Sequence, residues 1–322
     1  MPVIGFIEAI RQALAEEMER DPHVFVMGED VKLGAFGATR GLFETFGAAR
    51  VRNTPISEAG FAGAGIGAAM AGMRPVVEIE FASFFYCCFD QVCNQAAKLR
   101  YMSGGQARLP LTFRAPYGAM GSAAAQHSEV VYPQFLGVPG LKIAVPSGAA
   151  ELKGLLKAAI RDDNPVLVFE PARLGFTTSD VPDGDHILPL GRGAVKREGT
   201  DVTIIAIGAM VPNALTVAEE MAKEGISVEV WDPQTLVSLD EEGMLASVAK
   251  TGRVVIADEG HLRGGASGDL AAIIIDKGFD YLNAPIKRVA ALDVPIPFSP
   301  PLENYVLPDE SKIKAAVQEV VS

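Results

Sequence analysis

Apolar positions recur at helical spacing in the first twenty residues, at Phe6, Ile7, Ile10, Leu14 and Met18, and predict an amphipathic helix. A short apolar run at 24–27 then reads as a strand that leaves through Gly28, Glu29 and Asp30. A short helix is expected at 41–46. Further on, 75–81 (PVVEIEF), 111–114, 141–145 and 166–169 read as buried strands, and 84–101 and 148–161 as helices. From 171 to 200 the pattern breaks up around Pro182, Asp183, Gly184, Pro189 and Gly191, which predicts a linker. Alternation resumes with strands at 202–207, 228–231, 254–257 and 286–291. Helices are expected at 211–223, 240–250 and 310–321, with another after Gly264-Gly265. Strands that alternate with helices build mostly parallel, doubly wound sheets. The expected fold class is α/β, with two doubly wound domains at 1–175 and 201–322 joined by a linker at 176–200.

One stretch departs from ordinary helix composition. Residues 54–72 (TPISEAGFAGAGIGAAMAG) read as a strand end, a capping Ser57, and a helix with Glu58 in its first turn. Almost every later position is Gly or Ala. Glycine costs roughly 1 kcal/mol against alanine in a helix, so such a sequence is best explained by close packing against another backbone. A carboxylate buried there would be pushed toward its neutral form or would share a proton with a base. The plainer reading leaves Ser57 a cap, Glu58 a favourable charge at a helix start, and the small residues mere packing. A membrane span is not expected, because only about fifteen residues separate Glu58 from Arg74 and a span needs about twenty.

Composition narrows the function classes. The 322 residues are 49% hydrophobic and 21% charged, enough to fill two domain cores. A net charge of −12 argues against nucleic acid or an anionic membrane as the main partner. Cys87, Cys88 and Cys93 lie close together without zinc spacing, which suggests reduced core thiols. The acidic first helix has neither a signal peptide's basic start nor a transit peptide's composition, so a cytoplasmic location is expected.

Candidate chemistry is sparse. Glu29 and Asp30 stand at a strand exit, where open α/β sheets place ligands; they either orient chemistry or begin a solvated loop. His127 ends a Gly- and Ala-rich passage, 114–129, and histidine is the commonest acid-base residue, although a lone loop histidine is usually surface. Phe84, Phe85, Tyr86 and Phe89 offer either core or a stacking platform. Asp162 and Asn164 make a helix stop that could also offer oxygens to a hard cation. There is no Walker loop, Rossmann fingerprint, zinc signature or nucleophile elbow. Any phosphorylated cofactor would need its phosphate held by something else.

Four stretches in order, TPISEAGFAGAGIGAAMAGMRPVVE, FDQVCNQAAKLRYMSGG, AAAQHSE with VPGLK, and AIRDDNP, resemble the beta subunit of thiamine-diphosphate-dependent 2-oxo acid dehydrogenases. The pyruvate, branched-chain 2-oxo acid and acetoin dehydrogenase families share this subunit, and the likeness runs from the first helix to the last. It implies a transketolase-like pyrimidine-binding domain followed by a transketolase C-terminal domain. It implies an oxidoreductase with lipoamide as acceptor, active only with an alpha subunit in a heterotetramer of two alpha and two beta chains. Glu58 matches the glutamate that hydrogen-bonds the cofactor's aminopyrimidine nitrogen, and Phe84 the aromatic that stacks on that ring. His127 matches the histidine that handles protons during the reaction and the transfer to lipoamide, and Glu29 an acidic residue supporting the site. Leu111, Ala159, Ile160, Asp162 and Asn164 match a structural potassium site.

The family's magnesium and diphosphate motif belongs to the alpha subunit; this chain has only Asp183-Gly184-Asp185. Thiamine diphosphate and Mg2+ would therefore be held between two chains, with a lipoyl-bearing acyltransferase core as further partner. The small-residue helix would be a subunit contact. Glu129, Gln234 and His261 depart from the common pattern and leave the substrate open between a small 2-oxo acid and acetoin. The segment YPQF after His127 leans slightly toward acetoin dehydrogenases. The rivals are the C-terminal half of a split transketolase, which would need basic residues for sugar phosphates, and a non-catalytic assembly subunit.

Overall fold

A computed structural model describes all 322 residues. They fall into two compact units. The first comprises Met1–Tyr117 and Gln134–Leu190, and the second Gly118–Pro133 and Gly191–Ser322. The loop at 118–133 therefore belongs to the second unit although its neighbours in sequence belong to the first.

The first unit opens with β1 (Val3–Gly5), α1 (Phe6–Arg20), β2 (Val24–Gly28), α2 (Leu42–Phe46), β3 (Val51–Asn53), α3 (Glu58–Met70) and β4 (Arg74–Glu78). It continues through α4 (Leu99–Met102), β5 (Thr112–Tyr117), β6 (Lys142–Ala144), α5 (Ala149–Arg161), β7 (Val166–Pro171) and β8 (Thr178–Asp180). Its main strands pair in parallel in the order β6-β7-β5-β4-β2-β3. Strands buried on both faces need continuous apolar runs, and every residue of β2 (VFVMG) is buried. The predicted linker is not structureless, because β8 pairs antiparallel with β1.

Two packings hold this unit's helices. Along α1 and α5, Glu16 pairs with Lys153 and Lys157 at 2.6 and 2.7 Å, and fully buried Glu17 with Arg161 at 2.6 Å. Helix α3 lies on β4 so closely that a Cβ at Gly65 would stand 2.6 Å from Val77 Cγ2, which explains the glycine. Only one face of α3 is buried within the chain, at Phe61, Ala62, Gly65, Ile66 and Ala69. Ala59, Gly60, Ala64 and Gly67 are exposed, so the close approach expected along the whole helix is limited here to one face.

The second unit contains β9 (Ala194–Arg197), β10 (Val202–Ala206), α6 (Met210–Lys223), β11 (Val228–Asp232), β12 (Thr235–Val237) and α7 (Glu241–Thr251). After these come β13 (Val254–His261), α8 (Ala266–Gly278), β14 (Lys287–Ala291), α9 (Pro300–Val306) and α10 (Glu310–Val321). The sheet order is β14-β13-β10-β11-β9, parallel except for β9, which runs antiparallel to β11. Strand β9 falls inside the stretch expected to be linker. No helix is long and apolar enough to cross a membrane.

Candidate active site

Parallel strands point their carboxyl ends the same way, and in the first unit three neighbours end in register: Gly28 of β2 pairs with Asn53 of β3 and with Glu78 of β4. An acidic residue follows each of these strands. Glu29 and Asp30 come directly after β2, Glu58 opens α3 after β3, and Glu80 lies two residues past the end of β4. A Cβ at Gly28 would lie 2.7 Å from the Glu78 carbonyl oxygen, so glycine lets the two strand ends close up. Asp30 takes a left-handed backbone (φ +47°), and its carbonyl accepts from Leu33 and Gly34 N–H at 3.0 and 3.1 Å. Such backbones persist where the surroundings over-determine them, and they cluster at functional sites.

The four carboxyls share one field. Burial, then the charges of Glu58 and Asp30, raise Glu29 above the usual carboxylate range. Glu80 is pushed up to about 7, first by burial and then by Glu29, Asp30, Glu78 and Glu58. Glu58 itself is half-buried rather than enclosed, because the exposed side of α3 begins beside it.

A raised carboxyl binds its proton more tightly in the folded than in the unfolded chain. That stabilisation is full below its ordinary value of 4.5 and is lost as the pH rises through about 7. The thermal midpoint of Glu80→Gln should therefore gain on that of the unsubstituted chain between about pH 5 and pH 8. A difference that stays constant with pH would contradict the shared field.

The aromatic candidate lies just beyond Glu80. Residues expected as one helix from 84 to 101 form a 3-10 turn at Ala82–Cys88, a π turn at Gln91–Ala96 and then α4. Aromatic residues are weak helix formers, and packing decides here. Phe85 enters the core against Phe113, Phe135 and Phe169 at ring distances of 5.9, 5.4 and 5.6 Å. The 3-10 period places Phe81 and Phe84 together, edge to face at 5.4 Å, with Phe36 against Phe81 at 5.7 Å. Phe84 is half-buried, so part of its ring remains accessible. Polar residues of this stretch form an exposed ladder: Lys98 donates to Asn94 and Asn94 to Asp90, at 2.9 and 2.7 Å. All three cysteines are free, and burial pushes the Cys88 thiol up to about 12.

His127 lies in the second unit, half-buried, in a loop where Ser122 and Ala124 both take positive φ, +56° and +61°. Its backbone N–H donates to the Ala124 carbonyl at 3.3 Å. Glu129 is half-buried, and its carbonyl accepts from Gly118 N–H at 3.2 Å. Gln234 is buried in a left-handed turn (φ +55°) with its N–H on Asp232. His261 ends β13, its Nδ1 2.8 Å from the Leu292 carbonyl.

The candidate cation residues gather at the C-terminus of α5 and the start of β5, where carbonyls and the helix dipole suit a positive charge. One is already there. Arg74 donates to the carbonyls of Ile160 and Asp162 at 3.1 and 3.0 Å. The Leu111 carbonyl accepts from Val166 N–H at 3.0 Å and the Ala159 carbonyl from Asp162 N–H at 3.2 Å. Asn164 donates to Asp162 and accepts from Arg100. Burial works against the Asp162 carboxylate, yet bonds from Lys142 and Asn164 hold it below its ordinary range. Asp185 of the Asp183-Gly184-Asp185 segment is equally engaged, by Lys157 and Arg161 of α5 at 2.6 and 2.7 Å.

Residues 3–176 match the transketolase pyrimidine binding domain, and residues 191–313 the transketolase C-terminal domain. The chain is 45% identical to the acetoin:2,6-dichlorophenolindophenol oxidoreductase subunit beta of Bacillus subtilis (strain 168), across 99% of this chain and 97% of that protein. It is also 45% identical to the 2-oxoisovalerate dehydrogenase subunit beta of the same organism, across 99% of both. Against the pyruvate dehydrogenase E1 component subunit beta of Rickettsia felis the figure is 46%, across 97% of both.

The chain belongs to this family of dehydrogenase beta subunits. Its fold is also that of a solved split gene transketolase, an inactive beta4 tetramer, with a TM-score of 0.80, 26% identity, and coverage of 99% of this chain and 98% of that one. Membership brings the strand-exit carboxyls into a thiamine-diphosphate-dependent family. Two features escape a reading of the sequence: Glu80, and a buried triad in which Arg114 joins Glu78 and Glu170. The signal was present. Two glutamates at alternate positions of an otherwise apolar strand, PVVEIEF, share one face, and a parallel sheet covered on both faces gives that face no solvent.

Proposed function

We propose that this chain is the beta subunit of the decarboxylating dehydrogenase component of a 2-oxo acid dehydrogenase complex, working with an alpha subunit and passing an acyl group to lipoamide. The observation that carries the reading is the meeting of Glu58, Glu29 and Glu80 at one sheet end, in a chain that has no phosphate cradle. When bound, thiamine diphosphate supplies the carbon nucleophile and the electron sink. Glu58, fixed at the first turn of α3, is suited to hold a proton at the aminopyrimidine nitrogen. Phe84 offers its accessible ring to stack on that pyrimidine. Glu29, raised by burial and then by the charges of Glu58 and Asp30, is suited to exchange a proton beside it. His127 is the acid-base residue of the second unit.

Mg2+ would be held mainly by the alpha subunit. Potassium bound at Leu111, Ala159, Ile160, Asp162 and Asn164 would share the Ile160 and Asp162 carbonyls with Arg74, each carbonyl having two lone pairs. The exposed face of α3, at Ala59, Gly60, Ala64 and Gly67, is the proposed subunit contact.

One observation favours acetoin as a second reading. Four carboxyls in one field repel an anionic 2-oxo acid but not an uncharged hydroxyketone.

The test is calorimetric titration of thiamine diphosphate with Mg2+ into this chain, alone and mixed with its alpha partner. Binding only in the mixture is expected, and tight binding by the chain alone would overturn the shared site. Dye-linked assays with pyruvate, branched 2-oxo acids and acetoin then separate the two readings.

A further inference from the structure

The loop at 118–133 is held within the second unit by three buried carboxylates that take no part in the proposed chemistry. At its start, Gly118 turns with φ +82°, and the Glu259 carboxylate sits against it, so that a Cβ there would lie 2.7 Å from Oε1. Ala119 N–H donates to the same Oε1 at 2.8 Å. Ala119 itself is packed into a cluster with Ala291, Ile296, Val306 and Leu307. In the middle, Ser122 N–H donates to Glu303 Oε2 at 3.2 Å. At its end, the fully buried Tyr132 hydroxyl donates to Asp258 Oδ1. Asp258 is in turn fixed by the N–H groups of Gly260 and Ser267, at 3.0 and 3.2 Å, where α8 begins. Asp258, Glu259 and Glu303 are 0, 2 and 5% exposed.

Burying three carboxylates is costly, and stability alone is served as well by apolar packing. What these three share is the segment they grip. Between the grips the backbone is forced into left-handed conformations at Ser122 and Ala124, and the Ala124 carbonyl takes the N–H of His127. Residues 121–125 (GSAAA) between the first and last grips carry only small side chains with which to hold that conformation.

We propose that Glu259, with Asp258 and Glu303, is a positioning residue for His127, fixing the start, middle and end of its loop. This rests on the reading that His127 carries acid-base chemistry. Displacements of about 1 Å in a reacting group can cost about 100-fold in rate, so the grip is worth a large factor in turnover without touching substrate.

The experiment uses the complex assembled with its alpha subunit and compares Glu259→Ala, Glu259→Gln, His127→Ala and the double variant Glu259→Ala/His127→Ala. Glu259→Ala should lower kcat about 10- to 100-fold with KM nearly unchanged. The amide oxygen of Glu259→Gln still accepts from Ala119 N–H, so that variant should recover to within about threefold. The double variant should be no slower than His127→Ala, because a residue acting only through His127 has nothing further to lose. Normal kcat in a folded Glu259→Ala, or losses that multiply in the double variant, overturns the grip and leaves the functional reading intact. Normal kcat in His127→Ala removes the reading on which the grip rests. Should Glu259→Ala fail to assemble, Tyr132→Phe, which deletes only the hydroxyl held by Asp258, decides: a loss of about tenfold or more in kcat supports the grip, and normal kcat overturns it.

Discussion

Glu58→Ala, assembled with the alpha subunit, should lose about 1,000-fold in kcat, the middle of the range for a single acid-base group, while the thermal midpoint of the complex stays within a few degrees. The separation comes from where Glu58 sits. It is half-buried in the first turn of α3 and the core does not depend on its side chain: the buried face of that helix is Phe61, Ala62, Gly65, Ile66 and Ala69. Loss of a favourable charge at a helix start costs only about 0.3–1 kcal/mol. That cost is offset by relief of repulsion, since Glu58 raises the proton affinity of both Glu29 and Glu80. Glu58→Gln keeps the shape but cannot exchange a proton, and should be nearly as slow as alanine. Steady-state rates in a dye-linked assay, with calorimetric binding of thiamine diphosphate as control, measure both. A Glu58→Gln enzyme with normal turnover would sink the proposed proton role.

The alternation of apolar strands and helices was readable because parallel strands buried on both faces leave continuous apolar runs, as in VFVMG of β2 and VTIIA of β10. Helix α3 was readable in outline from its small residues, and its packing on Val77 through Gly65 is a reason for one of them. A Cβ at exposed Gly67 of the same helix would meet nothing within 4 Å, so this chain alone does not explain that glycine. Periodicity failed at 82–102, where aromatic side chains answer to Phe113, Phe135 and Phe169, far away in sequence. It failed also at β8 and β9, short strands whose partners β1 and β11 decide their existence more than their own residues do. Strand ends disclosed Glu29 and Asp30, but the field that couples them to Glu80 depends on which strands are neighbours, and strand order is not written in any local pattern.

Strand order also creates the largest expected stability effect in the chain. Glu78 on β4, Arg114 on β5 and Glu170 on β7 come together because those strands are adjacent, with Glu78 opposite Arg114 and Pro116 opposite Glu170. Arg114 donates Nε and Nη2 to the two oxygens of Glu170 at 2.7 and 2.6 Å, and Nη1 to Glu78. All three are buried. One guanidinium serves two buried carboxyls, and burial raises the proton affinity of Glu78 although Arg114 opposes it. Arg114→Met would strand both carboxylates and should cost about 3–5 kcal/mol, read by denaturant unfolding at pH 7. The pH dependence has a definite sign. Burial already raises Glu78, and without the opposing charge of Arg114 it would hold its proton to still higher pH in the folded chain, so the variant's deficit should shrink as the pH falls toward 5. Adding apolar replacements, Glu78→Met and Glu170→Leu, to Arg114→Met should restore much of the stability, because no unpaired charge remains. A single Arg114→Met variant as stable as the parent would mean that the triad contributes nothing. A stable triple variant with depressed turnover would assign the triad to the site, since Glu78 stands two residues before Glu80 and fixes the strand end that carries it.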